Sequence, residues 1–303
     1  MLQQTRVATV IDRYGEFMQR FPTLQALAGA EEHEVLALWS GLGYYRRARM
    51  LLRAAQFVEH ELHGKMLQTA EQLRSLPGVG EYTAAAIASI AFGECVAVVD
   101  GNVERVLLRV LGLPEKRSNK ANAELMSVAQ TLMPRTRHGG KNPQGDHNQA
   151  MMELGATVCL PRSPLCLECP VFDLCRTRGQ HDTPQRAPQR RQEAAHLLVV
   201  RKRRAITEVL LQRRAAEESL MPGMLELPVL PLEAVQGREP VLRLRHSITI
   251  TNYAVQIYEG IGLRDDLMVA KKQLEWAPIE RLHALPLTGL ARKALLRLRI
   301  MNR

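Results

Sequence analysis

Apolar residues recur at helical spacing from the start of the chain to about residue 180. In the opening stretch, positions at i, i+3, i+4 and i+7 spacing carry Val7, Val10, Ile11, Tyr14 and Phe17, which predicts one buried helical face. No Ser, Asp, Asn or Pro precedes these residues as a signal for the helix start. Short Gly, Pro and Asn segments separate the later helical stretches. We therefore predict an all-α region over this part of the chain.

The pattern of polar and apolar positions changes after a basic stretch. Residues 176–204 contain nine Arg and Lys against two acids, together with Pro184 and Pro188, which is typical of a solvated linker. Beyond it, a period near two predicts strands at 196–200, 207–211, 247–250 and 253–258. A last helix is predicted at about 290–299. We expect a second domain of mixed α and β structure, without internal repeats.

Length and charge narrow the class of protein. A chain of 303 residues is long enough for two or three domains. Lys and Arg number 41 against 31 Asp and Glu, a net charge of +10 that favours a polyanionic partner, nucleic acid first. No apolar run reaches membrane-spanning length, and the N-terminus lacks the order of a signal peptide, so a membrane partner is disfavoured.

Four of the five cysteines lie within one short segment. Their spacing, C-x6-C-x2-C-x5-C, can bring Cys159, Cys166, Cys169 and Cys175 to a single centre. Zinc sites usually contain two short C-x2-C pairs, and this segment has one, so the spacing modestly favours an iron–sulfur cluster over zinc. Clustered thiols also indicate a reducing compartment. The fifth, Cys95, stands in an apolar run and is predicted to fill core space.

A glycine turn and an aspartate form a second candidate site. Gly78 and Gly80 separate two helical segments, so their turn could present backbone N–H groups to a phosphate. A lone G-x-G motif is weak evidence, because most such turns merely end a helix. Asp100 follows an apolar run and precedes the next helical stretch. It could cap that helix, face a cationic transition state, or do both.

These motifs together resemble a known family. The chain is similar to the helix-hairpin-helix DNA glycosylases that carry a [4Fe-4S] cluster and, among them, to the MutY-type adenine DNA glycosylases. The matching segments, in order, are "MLQQTRVATVI", "LWSGLGYYRRARML", "LPGVGEYTAAAI", "VVDGNVERVLLRV" and "NQAMMELGATVC". The resemblance covers almost the whole chain and strongly favours the cluster, with the four clustered cysteines as its ligands.

The resemblance implies an all-α helix-hairpin-helix core with a cluster loop, followed by an α+β Nudix-like domain. The expected domains are a helical part at 1–98, a cluster domain at 99–180, a basic linker at 181–195 and a lesion-recognition domain at 196–303. Residues 208–228 resemble the Nudix-like strand and loop, but the pyrophosphatase signature is absent. We therefore expect this last domain to bind and not to catalyse.

The implied function is excision of adenine mispaired with 8-oxoguanine or guanine, in base excision repair. A monomer acting on double-stranded DNA in the bacterial cytoplasm, at the nucleoid, is implied as well. By resemblance Asp100 stabilises positive charge on the sugar, and Tyr82 lines the same pocket. The residues implied to contact DNA are Gln3, Gln4, Thr5, Leu42, Gly43, Tyr44, Gly78, Val79 and Gly80. Without the family, solvated Gln side chains and ordinary loop packing would be the simpler interpretation.

The segment "RHSITITNY" resembles the one with which the family recognises 8-oxoguanine. It implies that His246, Ser247 and Thr249 recognise the lesion. The second His of the family pattern is replaced here by Ile250, so lesion discrimination is expected to be less secure than base excision. His246 could equally be an ordinary strand residue.

Two further expectations concern catalysis. The family's general acid is a Glu two residues ahead of the position of Met1, so we expect the chain as printed to be severely impaired, because positioned acids contribute about 100- to 10,000-fold. A start codon assigned too far downstream would explain this, and a lesion-binding protein with little activity is the alternative. An endonuclease III-type lyase is disfavoured, because Tyr82 replaces the Lys that would form a Schiff base.

Overall fold

The computed structural model describes residues 1–2, 5, 7–114, 119–135, 142–181, 190–218, 220–248, 250–260 and 273–302. The chain divides into two compact units. The first unit combines Met1–Glu59 with Ala187–Arg303, and the second unit is His60–Arg186. The domain boundaries given above stay a prediction.

The first unit begins with a group of helices. They are α1 (Val7–Arg20), α2 (Leu24–Ala28), α3 (Glu32–Leu38) and α4 (Arg46–His60). Thr23 caps α2 by accepting a bond from the Ala26 N–H, and Glu31 with Glu34 forms a capping box on α3. A buried cluster that includes Phe17, Phe21 and Trp39 holds these helices together.

Helix α1 forms where the apolar spacing predicts it, but its burial differs. Val10 and Phe17 are buried, as predicted. The prediction is wrong for Val7, Ile11 and Tyr14, whose exposed fractions are 61%, 63% and 55%. At about 100° per residue these three residues lie on a face of the helix adjacent to the one that carries Val10 and Phe17. The apolar spacing in the sequence therefore combined two adjacent faces of α1. Among the described residues, the face with Val10 and Phe17 is buried and the face with Val7, Ile11 and Tyr14 is exposed.

The rest of the first unit contains two small sheets and a C-terminal helix. Strands β1 (Arg190–Leu198), β5 (Val229–Leu230), β6 (Leu242–Ile248) and β7 (Thr251–Glu259) form one sheet in the order β5-β1-β7-β6. In the other sheet β3 (Ile206–Arg213) pairs with β2 (Val200–Arg203), β4 (Leu225–Glu226) and β8 (Leu274–Pro278). Helix α10 (Gly289–Arg297) lies close to the predicted last helix. This part is α+β, as predicted.

The sheet registers explain where the predicted strands needed adjustment. β1 pairs with β7 in parallel from Arg190 opposite Thr251, so the sheet begins within the stretch predicted as linker. β6 ends at Ile248, which pairs with Thr251, so the chain turns between these two residues. The predicted strand at 247–250 is therefore wrong at Ile250, which lies in a turn, and Thr249 lies outside the described residues.

The second unit is helical. It contains α5 (Ala70–Leu73), α6 (Glu81–Phe92), α7 (Gly101–Leu111), α8 (Asn119–Thr131) and α9 (Pro143–Glu153). A π-helical turn, Leu154–Val158, continues α9, and short 3-10 turns follow at Cys166–Glu168 and Phe172–Leu174. Cys95 is exposed, and its thiol approaches the Pro134 carbonyl, so its predicted place in the core is wrong. With this unit the predicted fold class, an all-α core followed by an α+β domain, is confirmed.

Candidate functional site

The glycine turn of the second unit joins α5 to α6. Leu76 is buried below the turn and its carbonyl accepts a bond of 3.1 Å from the Val79 N–H. Gly78 has a φ of +75°, a conformation that residues with a Cβ rarely adopt. Gly80 stands at the N-cap of α6, where no side chain caps the helix. Gly78 and Gly80 are exposed, so the turn presents backbone at the N-terminus of a helix, where an anion is favoured.

Asp100 caps helix α7. Its Oδ1 accepts bonds of 2.8 Å from the backbone N–H groups of Asn102 and Val103, and its Oδ2 lies 3.3 Å from Asn102 Nδ2. The N-cap interpretation of this residue is therefore confirmed. Its carboxylate is fixed by these bonds and is only partly buried, so it keeps a face for other groups. A carboxylate held in this way can stabilise positive charge without moving.

Tyr82, in the first turn of α6, lies close enough to Asp100 for the two to interact. Burial raises the pKa of the Tyr82 hydroxyl, and the negative charge of Asp100 raises it further. The hydroxyl therefore stays protonated at neutral pH. It donates to the Met152 sulfur at 3.4 Å. The structure thus brings together the two residues that the resemblance assigns to catalysis.

The four clustered cysteines line one cavity of the second unit. Arg109, Pro164 and Phe172 line it as well. Partial desolvation raises the pKa of Cys166, and the three other thiols raise it further. Among the described residues, no three His, Cys, Asp or Glu side chains form a group that could hold a single metal ion. Four thiols around one cavity fit a cluster of several iron and sulfide atoms, which thiolates hold from outside.

Two arginines of α7 fasten the segment that carries these cysteines. Arg109 is 2% exposed, and its guanidinium donates to the Leu160 and Pro161 carbonyls at 2.7 and 3.0 Å. The same group approaches the Cys159 sulfur at 3.4 Å. Arg105 donates to the Cys159 carbonyl at 2.7 Å and to the Gly155 carbonyl at 2.5 Å. These bonds hold the backbone from Gly155 to Pro161 against α7.

Neither arginine is among the site residues predicted from the sequence. A basic residue inside the apolar helical run that follows Asp100 is the signal that could have found Arg109, because a buried guanidinium needs partners. Its partners lie in the cysteine segment, about 50 residues further along the chain. Only the fold shows that pairing.

A loop of the first unit gathers four of the residues predicted to contact DNA. Arg47 donates to the Thr5 hydroxyl at 3.0 Å and to the Gly43 carbonyl at 3.4 Å, and its guanidinium lies 5.1 Å from the Tyr44 ring centroid. Tyr44 is 53% exposed, whereas Leu42 is buried. The backbone of Gly43 and Tyr44 has positive φ, +71° and +50°. Tyr44 thus offers an aromatic surface to a ligand, and Leu42 packs in the buried cluster of α1–α4.

Two of the residues predicted to recognise the lesion, His246 and Ser247, lie on β6. His246 is partly buried, and burial lowers its pKa, with a smaller contribution from the charge of Lys293. It is therefore neutral at physiological pH and can both donate and accept a hydrogen bond. Ser247 is exposed and its hydroxyl bonds to the Asn252 side chain. Gln3, Gln4 and Thr249 lie outside the described residues.

Comparison with known families identifies the class of protein. Residues 1–131 match the HhH-GPD superfamily of base excision DNA repair proteins. Residues 159–175, from the first to the last clustered cysteine, match the iron–sulfur binding domain of endonuclease III. Over residues 1–131 and 159–175 the chain is similar to this superfamily of DNA repair proteins, and its cofactor is a [4Fe-4S] cluster.

Within the superfamily, the chain is similar to adenine DNA glycosylases. It is 54% identical to that of Homo sapiens over 187 residues, which are 61% of this chain and 33% of the human protein. It is 55% identical to that of Mus musculus over 187 residues, 59% of this chain and 35% of the mouse protein. The chain thus spans about a third of the length of these two relatives.

One solved structure is similar as well. A thermostable thymine-DNA glycosylase shares 30% identity and a TM-score of 0.51, covering 58% of this chain and 79% of its own. No helix among the described residues has the length and apolar character needed to cross a lipid bilayer.

Proposed function

We propose that the protein is a monofunctional adenine DNA glycosylase, which hydrolyses the bond between adenine and deoxyribose where adenine is mispaired with 8-oxoguanine or guanine. The observation that carries the proposal is the fixed carboxylate of Asp100 beside the protonated hydroxyl of Tyr82. The identity to adenine DNA glycosylases over the same residues supports the choice of base. Action as a monomer, at the DNA of a bacterial cytoplasm, is part of the proposal.

The chemistry requires a sugar cation to be stabilised. The bond to adenine breaks with its electron pair on the base, which takes up a proton, while water adds to the sugar carbon and loses one. Asp100 faces the positive charge that develops on the sugar, and its bonds to α7 hold it in place. Tyr82 keeps its proton and serves as a hydrogen-bonding group in the same pocket. The target adenine must leave the base stack to reach these groups.

The DNA contacts are proposed for both units. The turn at Gly78, Val79 and Gly80 binds a backbone phosphate, since it offers N–H groups at a helix N-terminus. Tyr44 stacks on a base beside the mispair, because its ring is exposed and Arg47 supports it. Gln3, Gln4, Thr5, Leu42 and Gly43 complete this contact in the proposal. A net charge of +10 adds affinity that falls as salt rises.

The α+β part of the first unit is proposed to be a Nudix-like binding module. His246 and Ser247, with Thr249, recognise 8-oxoguanine. His246 is neutral, so it offers a donor and an acceptor to the altered edge of the purine. The cluster is proposed to be held by Cys159, Cys166, Cys169 and Cys175, and it stabilises the segment that follows α9.

The test is adenine release from a duplex with adenine opposite 8-oxoguanine. The protein assayed is the full-length product of the gene. Strand cleavage only after alkali is expected, because the product is an abasic site. Asp100→Asn should slow adenine release about 100- to 1000-fold. Asp146→Asn, which removes an exposed acid from the first turn of α9, serves as the matched control.

Each alternative has its own result. Strand cleavage without alkali and covalent trapping by borohydride would indicate a lyase. Tight binding without release would indicate a lesion-binding protein. A colourless protein without about four iron atoms per chain would contradict the cluster. Adenine release from Asp100→Asn at close to the wild-type rate would refute the proposed mechanism.

A further inference from the structure

Two buried hydroxyl groups flank the loop at residues 41–44. Ser40 precedes it and Tyr45 follows it, and both side chains donate to the same acceptor, the carbonyl of Leu287 in the α+β part of the unit. The distances are 3.0 Å from Ser40 Oγ and 3.3 Å from Tyr45 Oη. The Gly41 N–H approaches the same Tyr45 oxygen at 3.5 Å. The two ends of the loop are therefore held at one point outside the helices.

That acceptor cannot move independently of the sheet. Leu225 on β4 donates its N–H to the Pro286 carbonyl at 2.9 Å, and its carbonyl accepts the Thr288 N–H at 2.8 Å. Leu287, between them, is fully buried. Met224, next to Leu225, is fully buried in the cluster of α1–α4. Hydrogen bonds and packing thus join the loop to β4 from two sides.

The same segment leads to the predicted lesion-recognition residue. Thr288 caps α10 by accepting the Ala291 N–H at 3.2 Å, and Gly289 opens that helix. A Cβ at Gly289 would lie 3.6 Å from His246 Cε1, which places the imidazole in van der Waals contact with this helix start. Gly289 is two residues from Leu287 along the chain. His246 therefore lies beside the segment 287–289, and Ser40 and Tyr45, which flank the loop, are hydrogen-bonded to the same segment.

We propose that Ser40 and Tyr45 are positioning residues, which hold the loop at 41–44 in register with the α+β domain through the Leu287 carbonyl. The proposal rests on the proposed function, since it makes the placement of Tyr44 on the base stack depend on the domain that recognises 8-oxoguanine. Preference for the lesion then depends on this pair of hydroxyls and is lost when both are removed. Neither side chain touches DNA, because both are buried.

The chemistry of the two donors suits this role. Burial raises the pKa of Tyr45, so its hydroxyl remains a donor throughout the physiological range. A carbonyl oxygen has two lone pairs and can accept both bonds at once. With one donor removed, the other still holds the loop, so the two substitutions should be strongly non-additive.

Hydrogen exchange of the free protein tests the connection. In the double variant Ser40→Ala, Tyr45→Phe, the amides of residues 41–44 and 287–289 should exchange faster together, by about fivefold, as expected for a lost hydrogen bond. Either single variant should change less. The matched control is Tyr258→Phe, which removes a buried hydroxyl that bonds to Gln256 at 2.8 Å elsewhere in the unit.

Binding tests the functional consequence. The probe is a duplex containing 2′-fluoro-deoxyadenosine, which resists excision, opposite 8-oxoguanine or guanine. The double variant should lower the ratio of the two affinities about three- to tenfold, and Tyr258→Phe should leave it unchanged. A structural role alone would weaken both duplexes equally and leave the ratio intact.

The outcomes separate the inference from the proposed function. Unchanged exchange of the loop in the double variant, or an unchanged affinity ratio, would overturn the inference while leaving adenine release in place. A wild-type protein that releases no adenine and prefers neither duplex would refute the proposed function. In that case faster exchange at both segments would still establish the connection itself.

Discussion

Replacing Asp100 separates the structural role of this carboxylate from its proposed chemical role. In the structure one oxygen, Oδ1, accepts both backbone bonds at the start of α7. Asn keeps an amide oxygen in that place, so Asp100→Asn should keep the cap and lose only the charge. Asp100→Ala loses the cap and the charge together. Both variants therefore remove the negative charge, but only Asp100→Ala removes the helix cap.

The magnitudes follow from these contacts. Asp and Asn are about equal as N-cap residues, and a negative charge at a helix N-terminus contributes about 0.3–1 kcal/mol. Asp100→Asn should therefore cost less than about 1 kcal/mol of local stability. Asp100→Ala should cost about 1–2 kcal/mol. Loss of a fixed group that stabilises transition-state charge costs about 100- to 1000-fold in rate, and both variants should show it.

Single-turnover adenine release from the 8-oxoguanine duplex measures the rate. Hydrogen exchange of the α7 amides measures the cap, because a chain of two units has no single free energy of unfolding. The reasoning is refuted if Asp100→Asn releases adenine within about threefold of the wild-type rate, since it would then be the cap that matters and not the charge.

Two further predictions concern packing. Gly155→Ala should displace the π-helical turn from α7 and lower the iron content of the purified protein, because a Cβ there would lie 2.8 Å from the Asn102 carbonyl oxygen. Gly101→Ala, where a Cβ meets open space, should keep the iron, and equal iron in both variants would contradict the argument. Met224→Ala should destabilise the first unit by about 2–5 kcal/mol, because the side chain is fully buried in the helical cluster. Met18→Ala, at a position that is 41% exposed, should cost much less, and a melting temperature unchanged by both substitutions would show that Met224 is not a core residue.

Local pattern predicted much of this fold. The apolar period placed α1 and the last helix, and the change of period placed the α+β part, because helix and strand faces repeat at different intervals. Burial was harder to predict, since it depends on what packs against each face. Val7 is apolar and Cys95 stands in an apolar stretch of the sequence, yet both side chains are exposed.

Local sequence signals likewise predicted part of the candidate site and not the rest. The cysteine spacing and the position of Asp100 before a helix are local signals, and both led to residues that the structure places as expected for a cavity lining and a cap. No local signal in the sequence identifies the hydrogen-bonding partners of Arg109 and Leu287. These partners are distant in sequence. Only the folded chain shows that Arg109 donates to the Leu160 carbonyl and that the Leu287 carbonyl accepts from Ser40.

The make-up of the first unit has a consequence for folding during synthesis. Its two segments are separated by the whole of the second unit, so Ser40 and Met224 cannot meet their partners until the ribosome has made most of the chain. The second unit is continuous and can form as soon as it emerges. Contacts between distant segments form slowly, and the nascent helices α1–α4 must wait with Trp39 and its neighbours incompletely covered. Chaperone dependence should therefore be greatest for α1–α4, which emerge before their partners.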